Sequence, residues 1–307
     1  MIAGRRRIAA RLGIAALNLL APGAGLLRVG RGRLGTFLLL VPIASLLATL
    51  LLFAAQPDLS FAALMILVGL VAAGTLVPLI WSVLATLLGS GHRQEPRPRY
   101  ARWYVVAGVA VAFIAAADLL VLSLHRFYKP FYLPSEAMAP TLLKNDRIVA
   151  AMRPPDSLWR GEVILFRVGP FTYVKRIAGL SGDRIALKGG IVFLNGALVP
   201  QVYEREEPNV SAYGPPRVRR LREAFPGERG SHEIFDAETV REDDYPETLV
   251  APGHLFVLGD NRDNSADSRV SRDEGGVEQL PIGDVVGRPL YYTYGPSHRF
   301  GQPVNPR

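Results

Sequence analysis

Apolar residues crowd into roughly the first 125 positions and charged residues into the remainder, so the chain reads as two regions built for different solvents. In the first region three runs, 35–55, 61–89 and 103–124, reach the length of about 20 mostly apolar residues that a bilayer crossing needs. Pro42 and Pro78 fall inside these runs, where a membrane helix tolerates them. Ahead of them, 8–27 has a short apolar core interrupted by "APGAG" and carries Arg11 and Asn18. It reads as an interfacial or re-entrant segment rather than a span. No small-residue cleavage site follows it, so a cleavable signal peptide is not expected.

From Phe131 onward the pattern changes to short β-rich runs: "RIVAAM", "EVILFRV", "YVKRIAGL", "RIALKGGIVFLNGALV" and "HLFVLGD", separated by Gly, Pro, Asp and Asn. "LKGGIVFLNGALV" predicts a strand pair closed by an Asn-Gly turn. The expected fold is a helical transmembrane anchor over 1–124 joined to a mostly antiparallel, barrel-like β domain over 125–307. Residues 203–248 are polar and rich in Pro and Gly and read as an insertion, with "VRRLREAF" (218–225) as its one short helix.

Charge adds an orientation. Arg5, Arg6, Arg7, Arg11, Arg28, Arg31 and Arg33 precede the first span, and Arg93, Arg97, Arg99 and Arg102 separate the second from the third. "QPDLS", between the first and second, has no basic residue. Cytoplasmic loops hold the excess of Lys and Arg, so the N-terminus and the second loop belong inside. Three spans then deliver the β domain to the far side, which in a Gram-negative cell is the periplasm. Much of the net charge of +8 is accounted for this way, so nucleic-acid binding is not expected. Asp118 sits near the outer end of the third run, where snorkelling to the interface explains it. The absence of cysteine excludes disulfides and thiolate chemistry. The histidines, His92, His125, His232, His254 and His298, have no ligand spacing, so no metal or other cofactor is expected.

Four segments carry candidate chemistry: "YLPSEAMAPTLLKND", "RGEVILFR", "YVKRIAGLSGD" and "GDNRDNSADSR". A serine hydroxyl needs a base before it attacks. Lysine serves when burial lowers its pKa. On a strand, Lys175 and Arg176 point to opposite faces, so one of the two is expected buried and the other solvated. Taken singly, Lys175 suits a solvated strand position, and "GDNRDNSADSR" suits a turn or a calcium-binding loop.

In this order the four segments resemble bacterial type I signal peptidase, a membrane-bound protease that uses a Ser/Lys dyad to remove signal peptides from exported proteins. The resemblance covers roughly 125–290 and is most specific in the last two segments. It implies Lys175 as general base and Ser265 as the residue that orients it. It also implies Asp267 and Arg269 as a supporting ion pair, with Asp260 and Asn261 in the same loop. Oxyanion stabilisation falls to the backbone N–H of residue 137 and the Ser135 hydroxyl. Phe131, Leu133, Pro134 and Met138 would line a cleft that takes the substrate as an added strand. Met138 and Leu142 also suit a plain core. The partners implied are signal peptides with small residues at −1 and −3 and the lipid bilayer, and the location implied is the bacterial inner membrane. Asn145-Asp146 replaces the family's Gly-Asp, and Asn suits a position that needs positive φ.

Two departures stand out. Residues 270–289 are longer than the family pattern. More seriously, Ala137 occupies the position of the family's nucleophilic serine. Three readings follow: an engineered Ser-to-Ala form, a homologue that binds precursors or export machinery without cleaving, or Ser135 as substitute nucleophile. Residues i and i+2 share a face of an extended segment but lie about 7 Å apart, so the third demands a backbone shift. Glu136, between them, is expected to be solvated.

Overall fold

The computed structural model describes residues 2–55, 60–88, 99–154, 156–211, 215–237 and 240–305, without the side chains of 2–8, 53–55, 120, 123 and 124. His92, Arg93 and Arg97 and most of the "QPDLS" loop therefore lie outside the described residues, as do the side chains of Arg5, Arg6 and Arg7. The chain divides into two compact units, Met1–Phe127 and Tyr128–Arg307.

The first unit is helical: α1 (Ile2–Leu20), α2 (Ala24–Arg28), α3 (Gly32–Ala55), α4 (Phe61–Leu88) and α5 (Trp103–Phe127). Within it, Gly32–Leu52 and Phe61–Leu88 are long and apolar enough to cross a membrane, while Ala9–Leu20 and Trp103–Leu119 are shorter apolar stretches. Leu- and Ala-rich sequence favours helix, and helix satisfies the backbone without water. Large apolar side chains such as Phe37, Leu51, Ile66, Val77, Ile80 and Trp81 face outward, as lipid contact requires. Asp118 is exposed on α5.

Asn18 explains its own presence in an apolar segment. It is fully buried, and its amide donates to Ser82 O (3.2 Å) and Thr86 Oγ1 (3.1 Å) while its Oδ1 accepts from Gly25 N (2.9 Å). One side chain thus joins α1, α2 and α4. Gly23, between α1 and α2, has φ 88°, and a Cβ there would meet Gly35 O at 2.1 Å. Glycine alone supplies both the left-handed turn and the close approach.

The second unit is antiparallel β in every pairing of its named strands. Its strands are β1 (Tyr128–Tyr132), β2 (Arg147–Ala151), β3 (Val163–Val168), β4 (Phe171–Gly179), β5 (Arg184–Lys188), β6 (Ile191–Leu194), β7 (Ala197–Leu198), β8 (Gln201–Pro208), β9 (Arg217–Glu223), β10 (His232–Asp236), β11 (Tyr245–Leu249), β12 (His254–Leu258), β13 (Leu280–Pro281) and β14 (Val285–Tyr294). The main sheet runs β1-β2-β14-β3-β4-β12-β13; β11-β5-β6-β7 and β10-β9-β8 form two smaller sheets. Asn195 (φ 52°) and Gly196 (φ 82°) close the β6–β7 hairpin, the turn that the Asn-Gly pair predicts.

Central strands of the main sheet are covered on both faces. Ile177 and Val257 pack into one core with Ile164, Phe166 and Val285, while Ala178, Phe256 and Leu258 pack into another with Ile185, Leu187 and Val192. Continuous apolar runs, rather than alternation, mark such strands.

The region 203–248 is not loop with one helix. Residues 218–225, expected as a helix, lie largely in β9, the central strand of the β8–β9–β10 sheet. The strand wins because it buries Val218, Leu221 and Glu223 while the arginines find acids across the strands. Arg220 meets Glu207 (2.7 Å) and also Glu233, Arg222 meets Glu204 (2.5 Å), and Arg217 meets Glu206 (3.0 Å). A lone helix offers these charges no comparable ladder.

Candidate active site

Strand β4 carries Lys175 between β3 and β12, with Lys175 opposite Ile164 and Arg176 opposite Leu258. Burial is unbroken from Lys175 to Gly179. The expectation that one of the two cations is solvated is therefore corrected: Lys175 is 3% exposed and Arg176 2%. Both faces of the sheet are covered here, so pointing in opposite directions does not bring either cation to water. Lys175 Nζ donates to Ser265 Oγ at 2.7 Å. Burial draws its pKa from 10.5 down to about 8, against the pull of Asp267 and with the push of Arg269.

Two buried, bidentate pairs frame this contact. Arg269 donates through Nε to Asp267 Oδ1 and through Nη2 to Oδ2, both at 2.9 Å, and Gly259 N also donates to Oδ2 (2.9 Å). Arg176 donates to Asp260 through Nε (2.8 Å) and Nη2 (2.6 Å), and reaches Gly161 O (2.6 Å) and Thr141 Oγ1 (3.1 Å). Burial opposes the charge of both carboxylates, yet their arginines hold both below the usual range. A fork-to-fork pair is strong enough to do this in a dry site. The result is a loop, 259–269, pinned at both ends around Ser265.

The segment that leaves β1 turns back beneath this loop. Asn145 N donates to Leu133 O (2.8 Å), and Leu133 N donates to Asp146 O (3.0 Å). Asn145 has φ 73°, the conformation for which asparagine substitutes for glycine. Asn261 grips the turn after β1: its N–H donates to Ala137 O and its Nδ2 to Glu136 O, both at 3.2 Å. Gly259 lies between the parts, since a Cβ on it would stand 2.2 Å from Ser265 Oγ and 2.6 Å from Ala137 O. Ala137 is thus adjacent to the Lys175–Ser265 pair.

Other residues of the segment are distributed as follows. Ser135 and Pro134 are exposed, and among the described residues no hydrogen bond joins Ser135 to Lys175. Leu133 and Met138 are buried with Leu142 and Ile148 in one core, with Phe131 packed partly against it. Glu136, expected in solvent, has a side chain only 15% exposed, 3.5 Å from Lys144 Nζ. The correction follows from the turn at 136–139, where Ala139 N donates to Glu136 O and folds the residue inward.

The inserted sheet reaches the same loop. Phe235 N donates to Asp260 O (2.8 Å), and Arg262 N donates to Phe235 O (2.9 Å). Phe235 also packs with Ala139 and Val218. Below it, buried Glu223 takes Arg262 and His232 as partners, and His232 is shared with Glu228 (2.8 Å). His232 is therefore engaged structurally.

A family model described as signal peptidase, peptidase S26, matches residues 102–292, well over half of the chain. The chain belongs to the signal peptidase family. Signal peptidase I of Bacillus caldolyticus is 32% identical over 211 residues, which is 68% of this chain and 96% of that protein. Signal peptidase I U of Bacillus subtilis is 29% identical over 193 residues, 61% of this chain and 88% of that one. Signal peptidase I of Pseudomonas aeruginosa is 32% identical over 192 residues, 55% and 66% of the two chains. A crystal structure of a signal peptidase I from Enterococcus faecalis matches 43% of this chain and 97% of its own, at 22% identity and a TM-score of 0.25. The family is one of serine endopeptidases that act on signal peptides, and this member has a helical N-terminal anchor.

Arg176 and Gly259 were not legible as parts of a signal peptidase site from spacing alone. Flanking runs "VILF" and "LFVL" carry the signal that the strand between them is buried on both faces, and hence that Arg176 needs an internal acid. Among the described residues one group of carboxylates lies close enough to share a cation: Asp236, Asp243 and Asp263.

Proposed function

We propose that the β unit presents a signal-peptidase cleft to exported precursors, with Lys175 as general base, Ser265 as its orienting partner and position 137 as the point where the attacking oxygen belongs. As written, the chain engages signal peptides and lacks the atom that cuts them. The observation that carries this reading is the contact of buried Lys175 with Ser265 at 2.7 Å, assembled beside a residue with no hydroxyl.

With serine at 137, neutral Lys175 takes the hydroxyl proton and the oxygen attacks the scissile carbonyl carbon. The N–H of residue 137 and the exposed Ser135 hydroxyl receive the oxyanion. Protonated Lys175 then gives its proton to the leaving amine, and water releases the acyl group by the same route. Strand β1 is an edge of the main sheet, so its backbone is available to an extended peptide, and Phe131 and Pro134 lie along the entry. Leu133 and Met138 support that edge from beneath. Three membrane crossings with the basic segments inside would set this unit on the periplasmic face of the inner membrane.

Retention of the Ser265, Asp267 and Arg269 geometry favours this reading over Ser135 as nucleophile, because Ser135 is not bonded to the base. The test is cleavage of a purified preprotein by the full chain in detergent. Ala137→Ser is expected to cleave at the signal-peptide junction and the chain as written to bind without turnover. Lys175→Ala in the Ala137→Ser background is expected to lose at least about 10³-fold in rate. Cleavage by the unaltered chain that disappears in Ser135→Ala overturns the assignment.

A further inference from the structure

The trio of carboxylates joins three separate pieces of the β unit. Asp236 ends β10, Asp243 ends the short turn Arg241–Asp243, and Asp263 lies in the loop two residues before Ser265. One oxygen from each falls within 4.8 Å of the others. That is the widest spread that ligands of one ion can have at a metal–oxygen distance of about 2.4 Å. Asp236 and Asp243 are 8% and 4% exposed.

Most of the surrounding polar groups are already committed. Asp236 Oδ2 accepts from Arg219 (2.6 Å), Asp243 Oδ2 from Val240 N (3.0 Å) and Asp263 Oδ2 from Ala237 N (2.5 Å). Arg262 is paired with Glu223 and Arg269 with Asp267. Asp243 Oδ1, by contrast, is buried and accepts no hydrogen bond. It faces the same space as Asp236 Oδ1: a Cβ on Gly190 would stand 3.6 Å from one and 3.9 Å from the other. A buried carboxylate oxygen without a donor carries a large desolvation cost that a cation removes.

We propose that Asp236, Asp243 and Asp263 form a calcium site that ties the inserted sheet to the loop carrying Ser265 and Asp267. All-oxygen, carboxylate-rich donors suit a hard cation, and magnesium, which dehydrates reluctantly, is seldom held by protein carboxylates alone. The site does not involve position 137, so its failure would leave the proposed function untouched.

The test uses the full chain in detergent, stripped with EGTA and titrated with calcium chloride or magnesium chloride by calorimetry and thermal unfolding. One calcium ion per chain is expected, with Tm raised by several degrees at about 100 times Kd. Magnesium is expected to bind at least about tenfold more weakly. Asp243→Asn and Asp263→Asn should each weaken calcium binding at least tenfold while keeping the wild-type Tm in EGTA; if one fails to fold, Asp236→Asn takes its place. Absence of saturable binding, full binding in the folded variants, or equal affinity for magnesium overturns the proposal.

Discussion

The two sides of the candidate site are held in different ways. On the Lys175 side, Lys175, Asp267, Arg269, Arg176 and Asp260 are buried around the half-buried Ser265, and each charge has a partner within 3 Å. On the residue-137 side, Leu133–Ala139 is held without ion pairs to the loop, by backbone hydrogen bonds through Asn261 and Asn145 and by the apolar packing of Leu133, Met138 and Ala139, and Ser135 stands in solvent. The difference teaches that Lys175 does not depend on residue 137 for its position. Burial and two ion pairs orient it, so an alanine at 137 removes an oxygen without dismantling what surrounds it.

The largest effect that breaks this contrast is expected from the Lys175 side. Arg269→Met leaves Asp267 buried without its fork, and unfolding in detergent should show a loss of about 3–5 kcal/mol. The matching change on the other side, Asn261→Ala, deletes one hydrogen bond to Glu136 O and should cost about 1 kcal/mol. Equal losses would show that the two sides are not held differently.

A second prediction sharpens the role of burial at Lys175. Its folded pKa, about 8, lies below the value of 10.5 in the unfolded chain. Between these values the unfolded state binds more protons, so this group makes stability rise with pH from about 8 to 10.5 and lowers it uniformly below that window. Lys175→Met should therefore be more stable than the parent at pH 7, by roughly 2–3 kcal/mol, and the gap should close by about pH 10.5. Paired thermal melts across this range measure it. The same titration makes cleavage by Ala137→Ser rise through about pH 8 as the base becomes neutral; a flat profile would remove Lys175 from that role.

The smallest effect is expected far from both sides. Arg184 and Glu247 meet at 3.3 Å, but both side chains are more than half exposed. Arg184→Ala should change stability by less than about 0.5 kcal/mol, and added salt should erase the difference.

Much of this was legible in the residues. "LNGA" announced its hairpin and Asn145 its positive φ, whereas the pairing of Lys175 with Ser265, which lie 2.7 Å apart, was implied only by the family resemblance of "YVKRIAGL" and "GDNRDNSADSR". Partners across the sheets were not legible. Arg220 and Arg222 look helical in isolation, because the acids that make them a strand lie on β8 and β10. Arg176 looks solvated until β3 and β12 are seen to cover both faces around it. Glu136 looks solvated until the turn after it is known. In each case, local sequence gives the direction in which a side chain points, and tertiary packing decides whether water is there to meet it.

Phe235 gives the inserted sheet a further meaning. Its N–H and C=O are spoken for by Asp260 and Arg262, on either side of Asn261, which in turn grips Ala137. An excision that joined β7 directly to β11 would leave those two loop groups without their partners. The stretch that reads as an accessory in the sequence is thus a mould for the loop.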